Sequence, residues 1–255
     1  MTRRLGPLTV LLVSQAPTLL LLVLLTWLRQ PTIAPGGWIV AGVLAGVIGL
    51  AGLAALYQGM AVGVVSVVAA IAATAPIVPL LAGLALGERP SALQLAGMAL
   101  ALAGVLLLTI DNQPSPVPRR ALAGVGFALL AALAFGGFLL AVRYASRPDP
   151  LNGVLAVRAG SVGTLLLLAV VFRSRVGLRR SDFPALAAVG VLDVGADVLF
   201  AFATTVGLLS IVSVLSSLYP VATVVLARLV LQERLAPVQL AGICLAFLGV
   251  LLISL

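Results

Sequence analysis

Four charged residues fall inside stretches of sequence that are otherwise apolar: Arg158, Asp193, Asp197 and Arg228. A charge in hydrocarbon costs a few kcal/mol unless it is paired or wetted, so such residues mark ion or substrate pathways. Asp193 and Asp197 are four residues apart and share one helix face. Two carboxylates one turn apart in low dielectric do not both ionise cheaply, so one of them is expected to hold a proton. Two readings follow: a proton-binding or cation-recognising site, or a buried ion pair with Arg158, which lies about two turns into its own segment. They are compatible if protonation breaks the pair during a working cycle. Arg228, in LARLVLQER, is near a segment end, where it snorkels to the interface or pairs with Glu233.

Polar side chains also cluster beside two prolines. Pro76 and Pro220 fall in mid-segment and are expected to kink their helices, each freeing a carbonyl one turn earlier. That is tolerated where the helix lines a cavity. Thr74, Ser213, Ser216, Ser217 and Tyr219 surround the two prolines and are candidates to line a pore, although a Ser or Thr in a membrane helix often bonds its own backbone. Tyr57 and Gln58 close a glycine-rich segment and reach the same cavity or sit at the interfacial belt. Glu88, Arg89, Glu233 and Arg234 occupy tight turns. There the carboxylates meet helix N-termini and the arginines compensate, or they act as gate charges.

These residues need elements to hold them. Hydrophobic residues make up 62% of the chain and charged residues 9%, too little polar surface for a soluble domain of 255 residues. Nine apolar runs can cross about 30 Å of hydrocarbon, near 8–28, 37–58, 64–86, 92–110, 121–142, 151–172, 183–206, 210–231 and 238–255. Arg3 and Arg4 precede the first run, but it is too long for a signal peptide and no small-residue cleavage pattern follows. The net charge of +8 comes from arginines between the runs. They fix topology and meet lipid headgroups rather than nucleic acid. One cysteine and no histidine argue against a metal centre, and no cofactor is implied. No phosphate-binding loop or paired acidic cluster is present, so the chain does not by itself drive transport with ATP.

The segments say the same thing twice. GVVSVVAAIAATAP (63–76) is answered by GLLSIVSVLSSLYP (207–220), and GERPSALQLAGMALALAGVLLL (87–108) by QERLAPVQLAGICLAFLGVLLI (232–253). Matched segments five helices apart cross the membrane in opposite directions, which gives inverted repeats. The halves are expected at 1–110 and 121–255, joined by a Pro-rich linker at 111–120. Aligning Pro7 with Pro150 leaves four helices in the first half against five in the second. A late start, with one N-terminal helix absent, is expected, because losing a helix uncovers packing faces. Arg3, Arg4, Arg119, Arg120, Arg173, Arg175, Arg179, Arg180 and Arg234 collect on one face, against Arg29, Arg89, Arg143 and Arg147 on the other. The first face is therefore expected in the cytoplasm, with the C-terminus outside.

Residues 57–108 and 190–253, with the helix–Pro–helix–Glu-Arg–Gln–Gly pattern occurring in each, resemble the EamA domain of the drug/metabolite transporter superfamily. The resemblance covers essentially the whole chain. It implies an all-α polytopic protein of two inverted five-helix repeats, ten helices in all, moving small metabolites or drugs across the cytoplasmic membrane. The family usually has both termini cytoplasmic, in conflict with the arginine count. The expectation is a multi-pass secondary transporter working by alternating access, possible proton-coupled export included, with a small-molecule substrate and lipids as its partners. Rival readings are a non-transporting membrane scaffold or receptor, and a membrane-embedded lipid-modifying enzyme. The enzyme fits poorly with two lone aspartates and no histidine.

Overall fold

Long runs of Leu, Val, Ala and Gly uninterrupted by charge satisfy their backbone groups within the run, and in lipid a helix is the way to do so. The computed structural model describes residues 7–29, 36–108, 120–172, 182–219, 221–222, 225 and 236–255. The described helices are α1 (Pro7–Arg29), α2 (Gly37–Val62), α3 (Val65–Ala72), α4 (Ile77–Ala85), α5 (Ala92–Leu108), α6 (Arg120–Ala145), α7 (Pro150–Val171), α8 (Phe183–Val206), α9 (Leu209–Ser216) and α10 (Pro237–Ser254). Among the described residues seven helical stretches are long and apolar enough to span a bilayer, one of them, Val67–Ala85, running through α3 and α4, and α5 is a shorter apolar helix. The protein is a multi-pass, all-α membrane protein. Eight of the nine expected segments are described throughout most of their length, and the ninth is described at its start, in α9.

Two compact units divide the chain: Met1–Leu50 with Leu140–Val206, and Ala51–Leu139 with Gly207–Leu255. Each takes helices from both sequence halves. In the first unit α1 packs on α7 and α8, and α7 packs on α8. Missing side chains let the backbones close in: a Cβ on Gly190 of α8 would strike Ser14 O of α1, and one on Gly46 of α2 would strike Val157 O of α7. Ser14 and Val157 are equivalent in the repeat, as are Gly46 and Gly190, so the two contacts are one contact made twice. Arg29 closes the unit at one end, 3.1 Å from Asp149. Asp149 in turn caps α7 by accepting from Asn152 N–H at 2.9 Å.

The second unit is built on the crossing of α5 and α10. A Cβ on Gly97 would lie 2.7 Å from Gly249 O, and one on Gly104 would lie 2.6 Å from Gly242 O. Gly97 is the repeat equivalent of Gly242, and Gly104 of Gly249. Early glycine therefore meets late glycine in both directions, which requires the two equivalent helices to run antiparallel. Close backbone approach through glycine is how helices gain packing energy where lipid offers no hydrophobic drive. Met98, Ala101, Val214 and Ile253 form the buried core beside the crossing.

Candidate functional site

In the first unit the charged residues meet. Arg158 Nη1 donates to Asp193 Oδ2 at 2.7 Å, and Nη2 donates to Asp197 Oδ2 at 2.8 Å. One guanidinium fork thus bridges two carboxylates one helical turn apart, a charge-assisted arrangement that fits the fork geometry. All three sit well inside their helices: Asp193 and Asp197 are near the middle of α8, and Arg158 is the ninth residue of α7. The Arg158 side chain is 3% exposed, Asp197 21% and Asp193 52%. The cluster therefore opens on the Asp193 side. With both acids ionised it carries one net negative charge, and a single proton neutralises it. The sequence left open which aspartate would pair with Arg158; the structure pairs both. Among the described residues no group of three or more His, Cys, Asp or Glu side chains could hold a metal ion.

A row of polar side chains on α1 was not anticipated. Thr9, Ser14, Gln15, Thr18 and Thr26 are all buried. Thr18 Oγ1 donates to Gln15 O at 2.8 Å and Thr26 Oγ1 to Leu22 O at 2.8 Å, so these hydroxyls are satisfied by their own helix. Gln15 Oε1 is buried with no hydrogen-bond partner among the described residues. Gln15 is also the repeat equivalent of Arg158. The available signal was Ser14 and Gln15 standing four and three residues before Thr18 in an otherwise apolar run.

The second unit holds a cavity of about 240 Å³. One wall is the junction of α3 and α4, through Ala72, Ala73, Ala75 and Pro76; another is the end of α9, through Ser213, Ser216, Ser217 and Tyr219; Phe135, Phe138 and Leu139 of α6 complete it. Both helical walls are broken. Thr74 N–H donates to Ile71 O, Ala75 N–H to Ala72 O and Ile77 N–H to Thr74 O, all with three-residue spacing. At the matching place in the other repeat, Leu218 N–H donates to Leu215 O and Val221 N–H to Leu218 O. At the place where the kink was expected, the chain tightens to three-residue spacing between α3 and α4 while keeping helical backbone at Ala73 and Pro76. The carbonyl expected to be freed, Ala72 O, is taken by Ala75 N–H at 3.1 Å. Ala73 O is passed over instead, because Ile77 N–H bonds one residue further on. Pro76 caps α4 and Pro79 lies in its first turn, positions where a missing N–H costs nothing.

Of the residues expected to line this cavity, Ser213, Ser216, Ser217 and Tyr219 do. Thr74 does not, and its hydroxyl donates to Ile71 O at 2.6 Å. Ser217 Oγ is likewise spent on Val214 O at 2.7 Å. Tyr57 and Gln58 are exposed, absent from the lining and inside α2, which continues to Val62 rather than ending with them. Pro220, Arg228, Glu233 and Arg234 lie outside the described residues. Arg89 is exposed.

Glu88 has a different position from the one expected. It does not open α5, whose N-terminus is closed by a capping box: Gln94 N–H donates to Ser91 Oγ at 3.2 Å, and Ser91 N–H to Gln94 Oε1 at 2.9 Å. Glu88 instead follows the C-terminus of α4. Gly87, at φ 92°, lets Glu88 N–H reach Gly83 O at 2.9 Å. Gly83 leaves space where a Cβ would meet the Glu88 carboxylate. That carboxylate then caps α9, in the other repeat: Oε1 accepts from Leu209 N–H at 2.7 Å and Oε2 from Ser210 N–H at 3.0 Å.

Matched broken helices around a cavity and charges held at mid-helix define the class: a polytopic membrane transporter built from inverted repeats. The chain belongs to the EamA-like transporter family, whose sequence profile matches residues 1–110 and 122–255. It is 31% identical over 233 residues to the uncharacterized protein PA1977 of Pseudomonas aeruginosa, covering 91% of this chain and 77% of that one. A crystal structure of a protein 19% identical superposes with a TM-score of 0.81, over 97% of this chain and 88% of the other, which establishes the same fold.

Proposed function

We propose that this chain is a secondary transporter that carries a small metabolite or drug out across the cytoplasmic membrane by alternating access, in exchange for protons. The observation that carries the reading is the cavity of the second unit, where equivalent helices of the two repeats are both interrupted. Irregular backbone at membrane depth is tolerated where it lines a cavity, and in transporters of inverted-repeat design such breaks mark the substrate site. Proton coupling rests on Arg158, Asp193 and Asp197. A proton on either acid removes one of the two charge-assisted bonds of Arg158, and a second removes the other. The first proton leaves a neutral cluster with one ion pair intact; the second leaves the buried Arg158 guanidinium without a counter-charge, which disfavours the paired arrangement. A gradient of one pH unit supplies about 1.4 kcal/mol per proton, so a two-unit gradient can sustain about a hundredfold accumulation of an uncharged solute exchanged for one proton.

The test uses proteoliposomes holding a pH-sensitive dye, with a panel of metabolites and drugs added outside. The expected result is solute-dependent proton movement, abolished in the Asp193→Asn, Asp197→Asn double variant. Unchanged proton movement in that variant would remove the coupling mechanism.

A further inference from the structure

We propose that the cavity of the second unit takes an uncharged molecule with an apolar, ring-sized body of about ten non-hydrogen atoms and a single hydrogen-bonding group. This rests on the reading of that cavity as the carried molecule's site. Three features of the cavity argue for this class of substrate.

The first is charge. Among the described residues lining the cavity there is no Asp, Glu, Lys or Arg, and the one ionisable side chain is Tyr219. An ion placed there has no counter-charge in its walls, and desolvating an unpaired ion is far costlier than burying a neutral group. A zwitterion meets the same difficulty twice. The nearest recourse for a charged end is the open side of the cavity, which does nothing to favour it over a neutral molecule.

The second is size. An apolar cavity of about 150 Å³ accepts benzene, with its six carbons. Scaled to about 240 Å³, the same packing holds about ten non-hydrogen atoms, one ring or two fused ones. Phe135 and Phe138, three residues apart on α6, are among the lining residues, and Ala72, Ala73 and Ala75 contribute only small side chains to it. Aromatic walls favour an aromatic guest through offset or edge-to-face contact.

The third is polarity. Ser213 and Ser216 are also three residues apart, on the same stretch of α9. Ser213 Oγ is buried behind the wall, without a partner among the described residues and out of reach of a guest. Ser216 stands exposed on the wall. Ser217 is already bonded to its own helix. The accessible hydroxyls of the lining are therefore those of Ser216 and Tyr219, few polar groups in an apolar chamber, the pattern of a site that orients a mainly apolar ligand.

Equilibrium binding to the full chain in nanodiscs tests this with four probes of equal heavy-atom count: indole, indene (which lacks the N–H), phenethylamine (a cation) and benzoate (an anion). Saturable indole binding is expected, with both charged probes at least tenfold weaker. Replacing the accessible hydroxyls (Ser216→Ala with Tyr219→Phe) should reduce the preference for indole over indene about fivefold, the loss of one ordinary hydrogen bond. Filling the chamber by Ala73→Leu, or by Phe138→Trp if the first variant does not fold, should abolish binding. Charged probes that bind as well as indole and are lost on filling would overturn the substrate class while leaving the cavity as the site. No saturable indole binding to the unaltered chain would overturn the class as well. Indole binding indifferent to both filling variants would overturn the assignment of the cavity itself.

Discussion

Replacing Glu88 separates a helix cap from a gate. The carboxylate accepts two backbone N–H groups at the start of α9, at 2.7 and 3.0 Å. Hydrogen bonds to a charged group contribute roughly 1.5–3 kcal/mol each, and a negative charge at a helix N-terminus adds about 0.3–1 kcal/mol through the dipole. Leu209 N–H and Ser210 N–H are otherwise two of the orphan donors that open any helix, and Leu208 supplies no side-chain cap. Glu88→Ala removes both bonds. Partial rescue by water halves the sum, leaving an expected loss of about 2–4 kcal/mol. Glu88→Gln keeps one acceptor oxygen in the Gly83 notch but gives up the charge and one bond, for about 1–2 kcal/mol. At about 2–4 °C per kcal/mol for a chain of this size, the thermal midpoint in detergent should fall by about 4–16 °C for Glu88→Ala and about 2–8 °C for Glu88→Gln. The assay is a thermal melt followed by size-exclusion of the surviving protein. Equal midpoints for the two variants and the unaltered chain, accompanied by lost transport, would refute the cap and restore the gate.

Two further outcomes follow from the packing. Gly104→Leu puts a side chain where even a Cβ lies 2.6 Å from Gly242 O and from Ala246 N, so α5 and α10 must separate; the equivalent change, Gly249→Leu, should lower the thermal midpoint by a similar amount, and a harmless substitution at either position would contradict the antiparallel crossing. Arg158→Leu strands two carboxylates and should cost about 3–5 kcal/mol, whereas adding Asp193→Asn and Asp197→Asn should restore most of the loss, measured in the same melt; a triple variant as unstable as the single one would show that Arg158 matters for its packing and not its charge.

Much of this molecule could be read without coordinates, and what could be read was local. Helix existence followed from apolar run length, and the α8 acids shared a face because four residues make nearly one turn. The duplication was a matter of matching letters, and the antiparallel meeting of Gly97 with Gly249 agrees with the inversion it implied. Local pattern also misled where several local outcomes were open. A proline after a small-residue run reads as a kink, and the chain there tightens into a turn of three-residue spacing, because Pro76 and Pro79 together suit a first turn better than a helix interior. Ser14, Gln15 and Thr18 on α1 had the right spacing to be noticed, but their apolar neighbours hid them.

Tertiary structure decided the partners. Nothing local chooses between one aspartate and two for Arg158, 35 and 39 residues away; the choice comes from how far α7 stands from α8 and where their levels match. Glu88 reaches α9 across 121 residues because Gly87 turns the chain and Gly83 leaves room, so the helix nearest in sequence is not the one it caps. Ser213 and Ser216 acquire a shared cavity with Phe135 only when α6 packs beside the two breaks. Periodicity is a property of neighbours along the chain, fixed by the geometry of one helix. Pairing is a property of neighbours in space, fixed by which glycines let which backbones approach.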